Sequence, residues 1–497
     1  MQTTEHQSWL QSRIEQKQID KYLVNGQDFI PDAEIEEKIR ANRRPDAARV
    51  RDILAKSRAI QNLTPDETAA LLNVADPELR HEMAVAGGDI KRHVYDNRIV
   101  TFAPLYLSTT CVNDCLYCGF RASNSGMTRH VLSQDEINHE IRVLAGKIGH
   151  KRLIVVFGEH PASDVDYMVS SLQTIYGTRW PTRKGEGSIR RVNVNAAPLA
   201  IEDLQRLHET GIGTYQVFQE TYHKQTYSFV HPPRTIKGNY RWRLYCMHRA
   251  LDAGIDDVGI GALFGLYDWK FEVMGLVYHS LELENRYGIG PHTISFPRIE
   301  PAEGAPYVQN TPHRVSDDDF RKLVTVLRLA VPHTGMILTA RENAAMRRSL
   351  MPVGVTQTDA SSKIGIGAYH AEEDAAQHGD SQQFLLGDTR SLDEVVRELA
   401  QMGVITSFCT AGYRCGRTGK AIMELLRCGK EGEFCKLNAA ITYREWLDDF
   451  ATDATKAVAE PILRREIGQI QERMPEMFPH FMQFYERTAA GERDLYF

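Results

Sequence analysis

Apolar segments alternate with helical segments through the middle of this 497-residue chain, from about residue 98 to about residue 370. Segments such as RLIVVF are almost continuously apolar, as expected of strands that are buried on both faces. Regular alternation of strand and helix favours a parallel sheet, and about eight such units favour a closed (β/α)8 TIM barrel. An open, doubly wound sheet is the alternative. In a barrel, functional side chains collect at the carboxyl ends of the strands.

The segments on either side of the predicted barrel have helical patterns. Residues 1–85 are predicted to form a helical arm, because they contain the capping box Thr64-Pro65-Asp66-Glu67 with proline at the first helical position. Residues 86–370 are assigned to the barrel. Residues 371–497 begin with a polar segment and are predicted to continue as a helical module that carries a cysteine-containing loop.

Charge and hydropathy exclude several classes of protein. The formal net charge is −6 and both signs are spread along the chain, so no surface for nucleic acid or acidic membranes is expected. No apolar run approaches the roughly 18–20 residues that a membrane-spanning helix needs. The polar N-terminus lacks the apolar core of a signal peptide. We therefore expect a cytoplasmic enzyme.

Seven of the eight cysteines lie in two clusters. They are Cys111, Cys115 and Cys118 in one loop, and Cys409, Cys415, Cys428 and Cys435 near the end of the chain. Such clusters indicate metal ligands and not a disulfide framework. Three thiolates in one loop suit an iron–sulfur cluster that keeps one iron open for a chelating small molecule. A structural zinc site is the alternative, but the fourth ligand that zinc requires is not nearby in the sequence.

The spacing C-x3-C-x2-C resembles the signature of the radical-SAM superfamily. This resemblance implies a [4Fe–4S] cluster whose open iron binds S-adenosylmethionine (SAM), and reductive cleavage of SAM to a 5′-deoxyadenosyl radical. It also implies cofactor-binding roles for residues at the ends of other strands. These are Tyr117 and Gly261 beside the adenine, Gly158 and Glu159 at the methionine amino group, and Glu220 with Arg241 or Arg243 at the ribose and carboxylate. Asn193 and Asn195 alternate along one strand, so they point the same way and are further candidates. A surface or capping role is the alternative for each polar residue.

Longer stretches of sequence narrow the resemblance to one subgroup of the superfamily. FQETYH, GIDDVGIGALFGLYDWKFEV, GPHTISFPRIEPA and GERDLYF resemble the radical-SAM tyrosine lyases of the ThiH/HydG group, in particular the [FeFe]-hydrogenase maturases, over essentially the whole chain. The implied reaction takes a hydrogen atom from the amino group of L-tyrosine and breaks its Cα–Cβ bond, giving p-cresol and dehydroglycine. The maturases convert dehydroglycine to carbon monoxide and cyanide at a second cluster. The resemblance further implies a reductant such as ferredoxin or flavodoxin, and hydrogenase maturation scaffold proteins as partners.

An amino-acid substrate needs a cation for its carboxylate, and the bidentate fork of arginine suits that role. Arg298 and Arg341 both end predicted strands, and Ser295 is placed to add a hydrogen bond. A structural ion pair is the alternative for each arginine. His292 opens a strand, so it faces the amino-terminal end of the barrel. The resemblance makes it a candidate iron ligand there, and a structural histidine is the alternative.

The C-terminal cysteines depart from the family pattern C-x2-C-x22-C. Cys409 and Cys435 match its first and third cysteines, but Gly412 stands at the second position. Three outcomes are open: Cys415 supplies the missing ligand, a two-cysteine site holds a smaller cluster or a non-protein ligand, or the second cluster is absent. Two alternative functions follow. One is a 2-iminoacetate (dehydroglycine) synthase as in thiamine biosynthesis, and the other is a non-catalytic iron–sulfur carrier.

Overall fold

Eight parallel strands close into a barrel in the computed structural model, which describes residues 8–371, 379–428 and 430–497. The strands are β1 (Arg98–Tyr106), β2 (Arg152–Val156), β3 (Arg191–Asn195), β4 (Tyr215–Gln216), β5 (Val258–Gly261), β6 (Thr293–Ser295), β7 (Gly335–Leu338) and β8 (Gln357–Asp359). Each strand pairs in parallel with the next, and β8 returns to β1 with Gln357 opposite Val100. The predicted (β/α)8 barrel is confirmed, and the open-sheet alternative is wrong.

Helices precede and surround the barrel. The N-terminal helices are α1 (Lys17–Asp20), α2 (Asp32–Ala41), α3 (Ala47–Arg58), α4 (Pro65–Leu72) and α5 (Pro77–Tyr95). The helices between the strands are α6 (Gln134–Val143), α7 (Val165–Gly177), α8 (Ile201–Glu209), α9 (Lys224–Val230), α10 (Tyr240–Leu244), α11 (Cys246–Asp252), α12 (Trp269–Tyr287), α13 (Asp317–Ala330) and α14 (Ala344–Leu350). Helix α4 begins at the predicted capping box, with Thr64 and Glu67 each accepting from the other's backbone N–H. None of the described helices is long and apolar enough to cross a membrane.

The C-terminal segment contains a strand as well as helices. Its helices are α15 (Leu392–Gln401), α16 (Gly419–Arg427), α17 (Glu431–Asp449), α18 (Asp453–Arg473) and α19 (Phe478–Ala489). The prediction of an entirely helical module with one loop is wrong, because β9 (Ile405–Ser407) pairs in parallel with the start of β1, with Ile405 opposite Arg98. The strand lies outside the alternating strand–helix series from which the barrel strands were predicted.

The three-part domain division stays a prediction. Its first boundary, at residue 85, falls inside α5. Residues 1–7 of the arm and residues 372–378, at the start of the C-terminal module, lie outside the described residues. Residues 380–387 run across the carboxyl end of the barrel, where the Leu385 amide donates to Pro301 O at 2.9 Å and the Gly387 amide donates to Ala340 O at 2.8 Å.

Candidate functional site

A cavity of about 200 Å³ opens at the carboxyl end of the barrel strands. Every strand, or the residues just after it, contributes to the wall. Representative lining residues are Tyr106, Val156, Asn195, Phe218, Leu263, Ser295, Thr339 and Asp359. The cavity therefore lies where a (β/α)8 barrel concentrates its chemistry.

The cysteine loop after β1 forms one side of this cavity. Cys111, Cys115 and Cys118 all line it. Asp114 stabilises the loop by accepting hydrogen bonds from Arg121 Nε at 2.9 Å and from the Ser123 hydroxyl at 2.6 Å. Burial opposes ionisation of Asp114, but these partners still hold its pKa at about 2.

The Cys115 thiol is buried, whereas Cys111 and Cys118 are partly exposed. Burial raises the pKa of Cys115 to about 12, so a metal must displace its proton in order to bind. Among the described residues, no three His, Cys, Asp or Glu side chains lie close enough together to bind one single metal ion.

Gly158 and Glu159 follow β2 and pack directly against the cysteine loop. A Cβ on Gly158 would lie 2.0 Å from Thr110 O, so no larger residue fits there. Glu159 is buried and accepts a hydrogen bond from Asn113 Nδ2 at 2.6 Å, while the same amide nitrogen lies 3.8 Å from Cys111 Sγ. The cysteine loop and this turn therefore form one unit.

Glu220 is one of three carboxylates that line the cavity, with Glu159 and Asp359. Its carboxylate accepts from Lys237 Nζ at 2.8 Å and from Arg243 Nη2 at 3.2 Å. Burial opposes its ionisation, but the two cations hold the pKa of Glu220 below its ordinary value. Glu220 adopts a φ of 71°, a conformation that side chains rarely take and that occurs at functional sites.

Of the two candidate arginines in YRWRL, only Arg243 lines the cavity. Arg241 lies outside it, where its Nε is 3.3 Å from Asp28 Oδ2. The two residues are separated by two positions on helix α10, and a rotation of about 200° sends their side chains to opposite faces. Arg243 is therefore the better placed of the two candidates, and its role at the cofactor stays a prediction.

Tyr117 lines the cavity with its phenol fixed by a histidine. The hydroxyl lies 2.7 Å from His231 Nε2, and His231 Nδ1 lies 3.0 Å from Tyr227 O. Burial lowers the pKa of His231 well below its ordinary value, so the ring is neutral. Its single proton therefore belongs on Nδ1, and Nε2 accepts from the Tyr117 hydroxyl.

The remaining cofactor candidates lie at different depths. Asn195 lines the cavity, but Asn193 is deeper in the barrel, where its Oδ1 accepts from the Thr214 amide at 3.0 Å. The sequence predicted that both side chains point the same way, and only Asn195 is at the level of the cavity. Gly261 lies behind the wall, since a Cβ there would come within 2.6 Å of the Phe218 ring.

The two predicted substrate arginines have different surroundings. Arg298 does not line the cavity, because its donors are used by Glu342, by Asp317 Oδ1 at 2.8 Å and by Val315 O at 3.0 Å. The expectation that it binds a substrate carboxylate is therefore not supported, and the ion-pair alternative describes its contacts.

Arg341 does line the cavity, as does Ser295. The guanidinium carbon of Arg341 lies 3.3 Å from the centroid of the Phe384 ring. Within the described part of the chain, its guanidinium has no hydrogen-bond partner. Of the two arginines, Arg341 is therefore the one with donors available to a ligand.

The C-terminal cysteines lie near the opposite, amino-terminal end of the barrel. Cys409 follows β9 and Cys435 lies on α17, and both are near Tyr95. Cys415 is exposed, with its Sγ 3.4 Å from Phe497 O. The nearest atom to a Cβ built on Gly412 would be Arg417 O at 3.7 Å, so that position has room for a side chain.

His292 lies at the same end of the barrel, before β6. Its backbone amide donates to Val258 O at 2.8 Å. Burial alone would raise the pKa of Asp257, but the nearby positive charges of His292 and Arg191 lower it below its ordinary value. His292 therefore lies at the predicted end of the barrel, beside a carboxylate.

Several cavity residues were not anticipated from the sequence. They are Asn113, Lys237, Gln383 and Phe384. Asn113 lies inside the cysteine motif, where its polarity was a usable signal. Gln383 and Phe384 come from the segment after the barrel, and no local pattern connects that segment with the cavity.

Comparisons with known proteins agree with this geometry. The model of the radical-SAM superfamily matches residues 105–274, and that of the Biotin and Thiamin Synthesis associated domain matches residues 295–405. The 2-iminoacetate synthase of Salmonella typhimurium is 31% identical over 346 residues, which is 69% of this chain and 86% of that protein. The 2-iminoacetate synthase of Escherichia coli is 32% identical over 347 residues, with the same two coverages.

Two solved structures extend the similarity to nearly the whole chain. A crystal structure of HydG, a maturase of the [FeFe]-hydrogenase, is 42% identical with a TM-score of 0.89, covering 95% of this chain and 100% of that one. HydG from Carboxydothermus hydrogenoformans is 33% identical with a TM-score of 0.73, covering 96% of this chain and 99% of that one. This chain belongs to the radical-SAM superfamily, within the group that contains the 2-iminoacetate synthases and the HydG maturases.

Proposed function

We propose that this protein is a tyrosine lyase that breaks the Cα–Cβ bond of L-tyrosine and releases p-cresol and dehydroglycine (2-iminoacetate). The observation that carries the substrate class is Arg341, a cation in the cavity wall whose guanidinium has no hydrogen-bond partner among the described residues. Similarity to the 2-iminoacetate synthases and to HydG supports the same reaction.

The cavity residues fit the cofactors that the family implies. Cys111, Cys115 and Cys118 supply three thiolates, which leaves one iron of a [4Fe–4S] cluster open for SAM. Glu159 Oε1 is buried and accepts no hydrogen bond from the described residues, although Arg13 Nε lies 3.9 Å away, so it suits an ammonium group. When bound, the cluster and SAM supply a 5′-deoxyadenosyl radical.

The protein's own contribution is to bind and orient the amino acid. Arg341 would hold the carboxylate through two parallel hydrogen bonds, with the Phe384 ring keeping the guanidinium in place. Ser295 would add a hydroxyl contact. Phe102, Ile154 and Ile337 provide apolar wall for a tyrosine ring and exclude water from a reactive radical.

Comparing Arg341→Lys with Arg298→Lys tests the substrate assignment. Lysine cannot form the bidentate fork, so Arg341→Lys should raise the KM for tyrosine by about 10-fold or more, as expected for loss of a charged hydrogen bond. Arg298→Lys should leave that KM nearly unchanged. The measurements are p-cresol and 5′-deoxyadenosine formation. The proposal fails if tyrosine neither stimulates SAM cleavage nor yields p-cresol while another amino acid does both.

We also propose that the native protein releases dehydroglycine without converting it to carbon monoxide and cyanide. This second proposal rests on the C-terminal cysteines. Gly412 cannot ligate iron, and the Cys415 thiol is exposed beside the chain terminus, 3.4 Å from Phe497 O. Cys409 and Cys435 then supply only two of the three thiolates that the family motif provides. Conversion of dehydroglycine to carbon monoxide and cyanide, as implied by the resemblance to the maturases, is the alternative.

Gly412→Cys tests this second proposal. The new side chain fits, since the nearest atom to the added Cβ lies 3.7 Å away. We expect iron bound outside the cysteine loop to rise, and carbon monoxide to appear. Cys415→Ser is the matched control and should change neither quantity. Near-stoichiometric carbon monoxide from the native protein, abolished by Cys415→Ser, would contradict the proposal. Formation of 5′-deoxyadenosine would also exclude the carrier alternative.

A further inference from the structure

Residues 380–387, the crossing segment, lie directly over the cysteine loop. The Gly119 amide donates to Gln383 O at 3.1 Å, and the Thr128 amide donates to Asp380 O at 2.8 Å. A Cβ on Gly119 would lie 2.7 Å from Gln382 O, so the close approach of the two backbones requires glycine. The crossing segment is therefore packed against the loop that binds the metal.

One side chain of the crossing segment reaches a cysteine sulfur. Gln383 Nε2 lies 3.5 Å from Cys118 Sγ, and Gln383 Oε1 accepts from the Tyr106 hydroxyl at 3.0 Å. A tyrosine hydroxyl has an ordinary pKa of about 10 and is therefore protonated at neutral pH. A protonated phenol donates to Oε1, which directs the Nε2–H of the amide towards the sulfur.

Neither of the other two thiols has a side-chain donor as close as Gln383. Asn113 Nδ2 lies 3.8 Å from Cys111 Sγ, but it also donates to Glu159 at 2.6 Å. Cys115 accepts no side-chain hydrogen bond within the described ranges. The contact between Gln383 and Cys118 is therefore the shortest side-chain N–H···S contact at the three loop cysteines.

We propose that Gln383 raises the reduction potential of the cluster held by the loop cysteines. Reduction adds a negative charge that is spread over the thiolate sulfurs, and an N–H donor stabilises this charge. Without that donor, the one-electron reduction required before SAM cleavage becomes harder. Gln383 would not contact the substrate and would act on the cluster through its hydrogen bond to Cys118 Sγ. The inference depends on the family's cluster and not on the identity of the substrate.

The test is an EPR-monitored redox titration of the full-length, iron-reconstituted protein without any amino-acid substrate. Gln383→Leu should shift the midpoint potential to a more negative value with iron content unchanged. Gln134→Leu is the matched control, because the Gln134 amide bonds to Ser170 and Thr174 on helix α7 and not to the cysteine loop. Its potential should equal that of the wild type.

A second variant keeps the proposal testable if Gln383→Leu does not retain its cluster. Tyr106→Phe keeps the Gln383 amide but removes the donor that orients it, so a smaller shift in the same direction is expected. If Gln383→Leu fails to retain iron, Tyr106→Phe decides: a negative shift at full iron content supports the proposal, and an unchanged potential overturns it. An unchanged potential in fully loaded Gln383→Leu also overturns it. The tyrosine proposal is unaffected either way, since no substrate is present.

Discussion

Replacing Glu445 with glutamine should lower the free energy of unfolding by about 3 kcal/mol. Glu445 lies on α17 and joins the C-terminal helices to the barrel. Its carboxylate accepts from Lys151 Nζ at 2.8 Å and from Arg190 Nη1 at 2.9 Å. All three side chains are at most 3% exposed. Glutamine has similar volume but no charge, so Lys151 would lose its carboxylate partner, and Arg190 would keep only Asp494 Oδ1, 3.2 Å from its Nε.

The magnitude follows from the pKa of Glu445. Burial opposes ionisation, but Arg190 and Lys151 lower the pKa from 4.5 to about 2. At 1.36 kcal/mol per pH unit, this difference is about 3 kcal/mol. It agrees with the ~3–5 kcal/mol typical of breaking a buried ion pair. Because the folded-state pKa is depressed, the stabilisation is full above pH 4.5 and is lost as the pH falls towards 2.

Urea unfolding followed by tryptophan fluorescence measures this effect close to its source. Trp446 is the adjacent residue, and its indole N–H donates to Ile148 O at 3.2 Å. Glu460→Gln is the matched control, because the Glu460 side chain is 40% exposed and lies 3.6 Å from Arg444. An exposed pair of this kind should contribute less than about 1 kcal/mol.

Two results would refute this reasoning. One is a loss below about 1 kcal/mol for Glu445→Gln at neutral pH, which would mean that the buried triad behaves like a surface pair. The other is a difference between wild type and Glu445→Gln that stays constant as the pH is lowered from 4.5 towards 2. The protonated carboxyl group and the amide are both neutral, so the difference should shrink.

Three further predictions concern the cavity. Gly158→Ala should reduce 5′-deoxyadenosine formation by about 100-fold, because a Cβ placed 2.0 Å from Thr110 O forces a shift of about 1 Å in the site. Normal turnover at full iron content would argue against this packing. Glu220→Gln should weaken SAM binding by about 10-fold or more in equilibrium dialysis, since the ligand loses a charged acceptor and Lys237 and Arg243 lose their carboxylate partner; unchanged binding would rule this out. Cys115→Ala should abolish 5′-deoxyadenosine formation, and wild-type amounts would exclude the loop as the cluster site.

The barrel was predictable from the sequence because strands such as β1 and β2 are buried and largely apolar, and because strand-like and helical segments alternate regularly. The same reasoning located residues at strand ends but not their depth. Asn193 and Asn195 share one face of β3, yet only Asn195 reaches the level of the cavity. Side-chain alternation fixes direction, and depth depends on how the strands are staggered around the barrel.

Partners that come from distant parts of the chain could not be predicted. Arg298 and Arg341 both end strands, and only the structure shows that Glu342 and Asp317 already bind the first. Gln383 lies 265 positions after Cys118, and its contact with that sulfur depends on the path of a segment with no regular pattern. Such long-range side-chain contacts leave no periodic signal in a single sequence.

The short strand β9 has a consequence for shortened forms of this protein. It pairs with the start of β1, from Arg98 to Val100, through parallel backbone contacts. A chain cut before Ile405 would leave those N–H and C=O groups of β1 without this neighbour. An uncovered strand edge is a template for pairing with another molecule, so such a truncated chain should be prone to aggregation even with all eight barrel strands present.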